Sequence, residues 1–87
     1  MYQVLLGRRV LRQIERLPYG IQEKLGNLVQ DLQSGGPLQP MWPNFSRLSR
    51  NKYHCHLSHK WVACWYHDKG TLRIEVYYAG SRENAPY

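Results

Sequence analysis

Apolar positions change their spacing twice along this chain, and the changes divide it into elements. Between Met1 and Leu6 the run Tyr2, Val4, Leu5 and Leu6 is short and ends at Gly7, which predicts a strand. From Arg8 to Leu17 the apolar residues Val10, Leu11, Ile14 and Leu17 recur every three or four positions, while Arg8, Arg9, Arg12, Glu15 and Arg16 take the other faces. That is the signature of an amphipathic helix. Pro18 and Gly20 interrupt it, and Ile21, Leu25, Leu28, Val29 and Leu32 then restore the period, predicting a second helix over Tyr19–Gln33 that stops at Ser34, Gly35, Gly36 and Pro37. With so short a break the helices are expected to form an antiparallel hairpin whose apolar sides face one sheet; neither is stable alone.

Gly36 to Asn44 holds Pro37, Pro40 and Pro43 and reads as a crossing segment, because proline removes a helical hydrogen-bond donor. Beyond it the period becomes two. Tyr53–Leu57, Trp61–Tyr66 and Leu72–Ala79 read as successive strands, the last two joined by a turn at His67, Asp68, Lys69 and Gly70. In the last strand Leu72, Ile74, Val76 and Tyr78 alternate with Arg73, Glu75, Tyr77 and Ala79, so one face is expected to meet the helices and the other to stay open. The expected architecture is a single α+β domain over residues 1–87, with two N-terminal helices packed on a four-stranded, mainly antiparallel sheet.

Length and composition narrow this further. Eighty-seven residues make one small domain, and 43% hydrophobic against 21% charged residues is the balance of a folded chain, not a disordered tail. No stretch approaches the roughly 18 apolar residues needed to span a bilayer. The chain opens without a charged-then-apolar leader, and Cys55 and Cys64 sit inside apolar or aromatic runs, so a reduced, cytoplasmic protein is expected. The formal charge is +6, of which residues 44–87 hold +4, with seven basic and three acidic side chains. An open sheet face rich in Tyr, His, Arg and Lys is a platform for a polyanion.

Several residues on that half carry candidate chemistry. Arg47, Arg50 and Lys52 form a basic run before one strand, Lys60 precedes the next, and Arg82 follows the last. Such ends can converge on one or two phosphates, or merely solubilise the surface. His54 and His56 share a sheet face with Cys55 pointing the other way, and His59 and His67 flank the following strand, so a histidine among the cations can act as acid or base near neutral pH. Tyr87 offers a phenol or a packing face. Trp61, Ala63 and Trp65 lie on one side of their strand and Val62, Cys64 and Tyr66 on the other. The tryptophans stack on bases if exposed and are core residues if buried. Paired-cysteine knuckles, phosphate-binding glycine loops and paired late carboxylates are all missing, so no metal or other cofactor is expected and core packing is favoured for both thiols.

The opening MYQVLLGRRVLRQIERLP, and more distinctively KYHCHLSHKWVACW followed by IEVYYAGSRENAPY, resemble the RelE/ParE toxin superfamily, and within it the RelE-like cytotoxic translational repressors, over nearly the whole chain. The resemblance implies a toxin of a type II toxin–antitoxin system: a ribosome-dependent endoribonuclease that helps the ribose 2′-OH of messenger RNA attack the adjacent phosphate. It implies a cognate antitoxin covering the basic surface, with operator DNA held only through that complex. The family's late arginine matches Arg82 and its C-terminal tyrosine matches Tyr87. The arginine usual before the central aromatic strand has no match, Trp61 standing in its place with Lys60 just before it. Either Lys60 or a neighbouring histidine substitutes, or the fold persists with weak or no nuclease activity. The implied site is therefore Arg82, Tyr87, Lys60 and His54 for catalysis, with Arg47, Arg50, Lys52 and Lys60 on the RNA backbone. The superfamily also includes gyrase-directed toxins, and a non-catalytic antitoxin-binding regulator is a further alternative.

Overall fold

In the computed structural model, which describes all 87 residues, the chain runs β1 (Gln3–Leu6), α1 (Arg8–Glu15), α2 (Tyr19–Gly35), β2 (Ser46–Ser49), β3 (Lys52–His56), β4 (Trp61–Asp68) and β5 (Arg73–Ser81). The two helices fall where the apolar period places them. At the elbow between them the Gln22 side chain donates to the carbonyls of Ile14 and Leu17, both at 3.0 Å, adding a second bond at Ile14, which already accepts from the Leu17 N–H, and supplying a donor to Leu17 just beyond the end of α1.

The sheet departs from the expected four strands, mainly antiparallel. It has five, in the order β1-β5-β4-β3-β2, and β1 pairs parallel with β5. The helices lie between β1 and β2, so they are not N-terminal to the sheet as a whole. The added strand, β2, has only Leu48 half-buried and follows a proline-rich stretch, so it carries no alternating apolar signal. Its partner β3 defines it, through Ser46 opposite His54 and Arg47 opposite Tyr53. Apolar pattern likewise says nothing of which neighbour β1 takes or in which direction it runs.

The alternation in β5 also breaks. Cys64 pairs with Tyr78 but Trp65 with Val76, leaving Tyr77 as the extra residue of a β-bulge. A bulge shifts the side-chain phase by one. Ile74 and Val76 therefore share the core with Ala79, not with Tyr78 as strict alternation predicts, and Leu72 lies outside the strand, 58% exposed.

One face of the sheet meets Val10, Leu17, Leu25, Leu28 and Leu32 of the helical segment through Tyr53, Cys55, Ala63, Trp65, Ile74, Val76 and Ala79. Trp65 is wholly buried, stacks with Phe45 and Tyr53, and donates its indole N–H to the Pro37 carbonyl at 3.0 Å. The crossing segment is thereby tied to the centre of the core. Gln39 and Trp42 anchor it to α2, through the Asp31 carbonyl at 2.9 Å and the Asp31 carboxylate at 2.8 Å. Val62 and Cys64 are just as buried but belong to the opposite face. There the returning C-terminal segment brings Tyr87 against His54.

Where α2 ends, Gly36 takes φ +88° and ψ −168°, a region open only to glycine, and a Cβ there would lie 2.8 Å from the Tyr2 ring. Gly36→Ala is expected to lower stability by about 1–3 kcal/mol in urea unfolding. Adding Tyr2→Ala would remove the steric part but not the backbone strain, so the double variant should remain less stable than Tyr2→Ala alone.

Candidate functional site on the open sheet face

Alternation along β3 puts Lys52, His54 and His56 on the face away from the helices, and Cys55 in the core. His54 is 8% exposed. The Ser46 hydroxyl lies 2.8 Å from its Nδ1, the His56 ring is 5.8 Å away and edge-on, and the Tyr87 ring is 4.5 Å away. A second cluster lies at the end of the sheet. The Arg82 backbone N–H donates to the Lys60 carbonyl at 2.8 Å, extending the β4–β5 pairing beyond Ser81, and Lys60 and Arg82 line a cleft of about 410 Å³ with His59, Trp61, Ser81 and Glu83. Arg82 links the clusters, because its charge acts on both His56 and Tyr87.

Of the residues singled out from sequence, Arg82, Tyr87, Lys60 and His54 fall in these two adjoining clusters. Lys52 is on the same face, its ammonium 5.6 Å from the Tyr77 ring centroid. It is four residues from His56 along β3, about 13 Å. Lys52 and Lys60 therefore stand at different places along the face. Arg47 is not brought to this face. It pairs with Tyr53, lies over that core ring at 6.0 Å, and donates to the carbonyls of Ser49 and Arg50. Arg50 stands exposed in the β2–β3 turn. His67 has a local role, with Nε2 3.0 Å from the Thr71 carbonyl and its ring edge-on to Tyr2.

Sequence reasoning did not find Ser46 or Tyr77. Ser46 reaches His54 only through the unforeseen strand β2, while Tyr77, on the side opposite Ile74 and Val76 by alternation, faces Cys64 and Lys52 but was read only as part of the strand pattern. An exposed serine eight residues before a histidine gives no signal of its own.

The electrostatics follow from burial and neighbours. His54 is held below its ordinary 6.5 by burial and by His56, with the bond to Ser46 opposing. His56 is lowered by burial, then by Arg82 and His59. Both are neutral proton acceptors at pH 7. Tyr87 is raised, by burial and Cys64 against the lowering effect of Arg82, and so keeps its phenolic proton. Burial pushes Cys55, Cys64 and Tyr77 to about 12, so neither thiol is a nucleophile. No three His, Cys, Asp or Glu side chains converge to hold a metal ion.

Solved structures with this architecture have been described. A YoeB–YefM complex from Staphylococcus aureus superposes with a TM-score of 0.71 at 10% identity, over 92% of this chain and 95% of that one. A YoeB/ParE toxin from Agrobacterium tumefaciens gives 0.72 at 10%, over 91% and 97%. The chain has the RelE/ParE-like toxin fold. A copper-bound mutant toxin from Helicobacter pylori matches equally well, with a TM-score of 0.72 at 13% identity over 95% and 97% of the two chains. No family model matches the sequence, and no curated protein does. At 10–13% identity the likeness is one of backbone architecture.

His54 favours its neutral form when folded, so the unfolded chain binds more protons below pH 6.5. The stability it contributes is complete above that pH and declines as pH falls through it. Urea midpoints between pH 7.5 and 5 should therefore fall more steeply for the wild type than for His54→Gln, which lacks the titrating ring.

Proposed function

We propose that this protein is the toxin of a toxin–antitoxin pair and that it cleaves messenger RNA on the ribosome without a metal ion. The observation that carries the reading is the convergence of neutral His54, protonated Tyr87 and the Lys60–Arg82 pair on the uncovered face of a toxin fold. These are the parts that an internal transesterification needs. With Nδ1 against Ser46, Nε2 of His54 is the nitrogen left to take the proton of a ribose 2′-OH. The 2′-oxygen then forms a bond to phosphorus as the bond to the 5′-oxygen breaks, and Arg82 and Lys60 balance the charge that builds on the phosphate. The Tyr87 phenol donates to the departing 5′-oxygen. The products are a 2′,3′-cyclic phosphate and a 5′-hydroxyl. Lys52 and Arg50 hold neighbouring phosphates, whereas Arg47, engaged with Tyr53, takes no part.

The partner in this reading is a cognate antitoxin that covers the basic face and carries operator DNA for the complex. The similar YoeB fold in complex with YefM supports it. No helix is long and apolar enough to cross a membrane, in keeping with a cytoplasmic target.

Primer extension on translating ribosomes tests the reading. Wild type should create new 5′ ends within the A-site codon, and Arg82→Ala and His54→Gln should each reduce them by about 10²–10³-fold. Tyr87→Phe should cost about 10²-fold. Cleavage unchanged in an Arg82→Ala, Tyr87→Phe double variant would remove these residues from the mechanism. Intact messages with folded wild-type protein, together with inhibition of DNA gyrase, would transfer the target to gyrase.

A further inference from the structure

The two tryptophans of β4 alternate onto the same side, yet they differ in environment. Trp65 is 0% exposed at the centre of the core, whereas Trp61, at the strand's first position, is only partly buried and packs against the edge of that core. Trp61 also lies between two clefts. On one side is the Lys60–Arg82 cleft, and on the other a cleft of about 430 Å³ between α1 and the ends of β4 and β5, lined by Gln13, Arg16, Tyr78 and Asn84 among others.

Packing fixes Trp61. Its backbone carbonyl accepts from the N–H groups of Leu57, at 2.8 Å, and Ser58, at 3.2 Å, and it pairs with Ser81 across the sheet. With its backbone so fixed and its indole packed against the core edge, Trp61 loses less freedom than a free surface ring when a flat group lies against it. The surroundings state what that group carries. Lys60 and Arg82 on one side, against the single carboxylate of Glu83, and Arg16 on the other attract anions, while Asn84 offers an amide donor and acceptor and Gln13, whose Oε1 accepts from the Ala79 N–H at 3.0 Å, keeps its amide NH2 to donate. A planar, hydrogen-bonding ring attached to a phosphate meets all of these demands.

We propose that Trp61 is a stacking platform for one nucleobase of single-stranded RNA, the phosphate beside that base lying on Lys60 and Arg82 and the base edge turned towards Gln13 and Asn84. This rests on the reading of the sheet face as an RNA site and names a base-binding position at its end, where the Lys60–Arg82 cleft meets the edge of the core. The tryptophan that stands where the resembling family carries an arginine thus exchanges a charge for a stacking surface.

The test is binding of hexauridylate to the purified protein, beside an abasic hexamer carrying the same number of phosphates, both at low salt. Binding is followed by the indole N–H resonances, with Trp61 assigned from Trp61→Leu. The base-bearing hexamer should shift the Trp61 resonance and bind about tenfold more tightly than the abasic one. In Trp61→Leu, which keeps an apolar contact with the core, that difference should vanish, and Trp61→Tyr should restore most of it. Should Trp61→Leu unfold, the wild-type comparison still decides. Equal affinity for the two hexamers, an unmoved Trp61 resonance, or no saturable binding of hexauridylate overturns the proposal. Stacking without message cleavage would sink the nuclease reading and leave the platform standing, while cleavage with a silent Trp61 would do the reverse.

Discussion

The pairing of β4 with β5 holds together two cationic groups that repel each other. Lys60 precedes β4 and Arg82 follows β5, and a single backbone bond of 2.8 Å from Arg82 to Lys60 closes the ladder at that end. Like charges so placed cost energy, and the pairing of the strands behind them bears the cost: eight residues of β4 in register with β5, Val62 and Cys64 buried on one face and Ala63 and Trp65 on the other. A strand buried on both sides is hard to displace. The backbones that carry the two cations are consequently fixed, while the exposed ammonium and guanidinium groups stand free at that end of the sheet.

Burial sets the histidines first, and one of these cations, Arg82, adds to it. His56 is lowered in part by Arg82, and His54 by burial and by His56. A phosphate on this face reverses the sign of that influence, since negative charge favours the imidazolium. The resting site thus holds histidines ready to accept a proton, and an anion makes acceptance easier. Tyr87 is subject to the opposite balance. Arg82 favours its phenolate, but burial and Cys64 outweigh it and keep the phenol protonated. Two groups whose rings lie 4.5 Å apart thereby rest in different states, the imidazole free to accept a proton and the phenol still carrying its own.

What could be read from the sequence was what depends on one element at a time. Val10, Ile14 and Leu17 announce α1, and Leu25, Leu28 and Leu32 announce α2, because one helix face must be buried. Strict alternation in β3 placed His54 with His56 and sent Cys55 inward. What could not be read depends on pairing between elements. β2 exists because β3 offers a free edge, β1 runs parallel because its neighbour is the last strand, and Tyr77 is displaced because β4 and β5 differ by one residue over their length. No window of sequence contains those relations. The candidate site lies at their junction: His54 and Tyr87 were visible as chemistry, while Ser46, the group that orients His54, was hidden behind a strand with no apolar period.

Trp61 and Arg47 illustrate the same division for single residues. Both stand in aromatic or basic runs whose composition fits nucleic acid equally well. Register separates them: Arg47 is opposite Tyr53, on the helix-covered side, and is drawn over that ring, whereas Trp61 begins its strand and lies at the border of core and cleft. Position within the ladder, not residue type, decides which one can meet a ligand. The cationic face is therefore narrower than the charge count suggests, running from Lys52 past His54 and His56 to the Lys60–Arg82 pair.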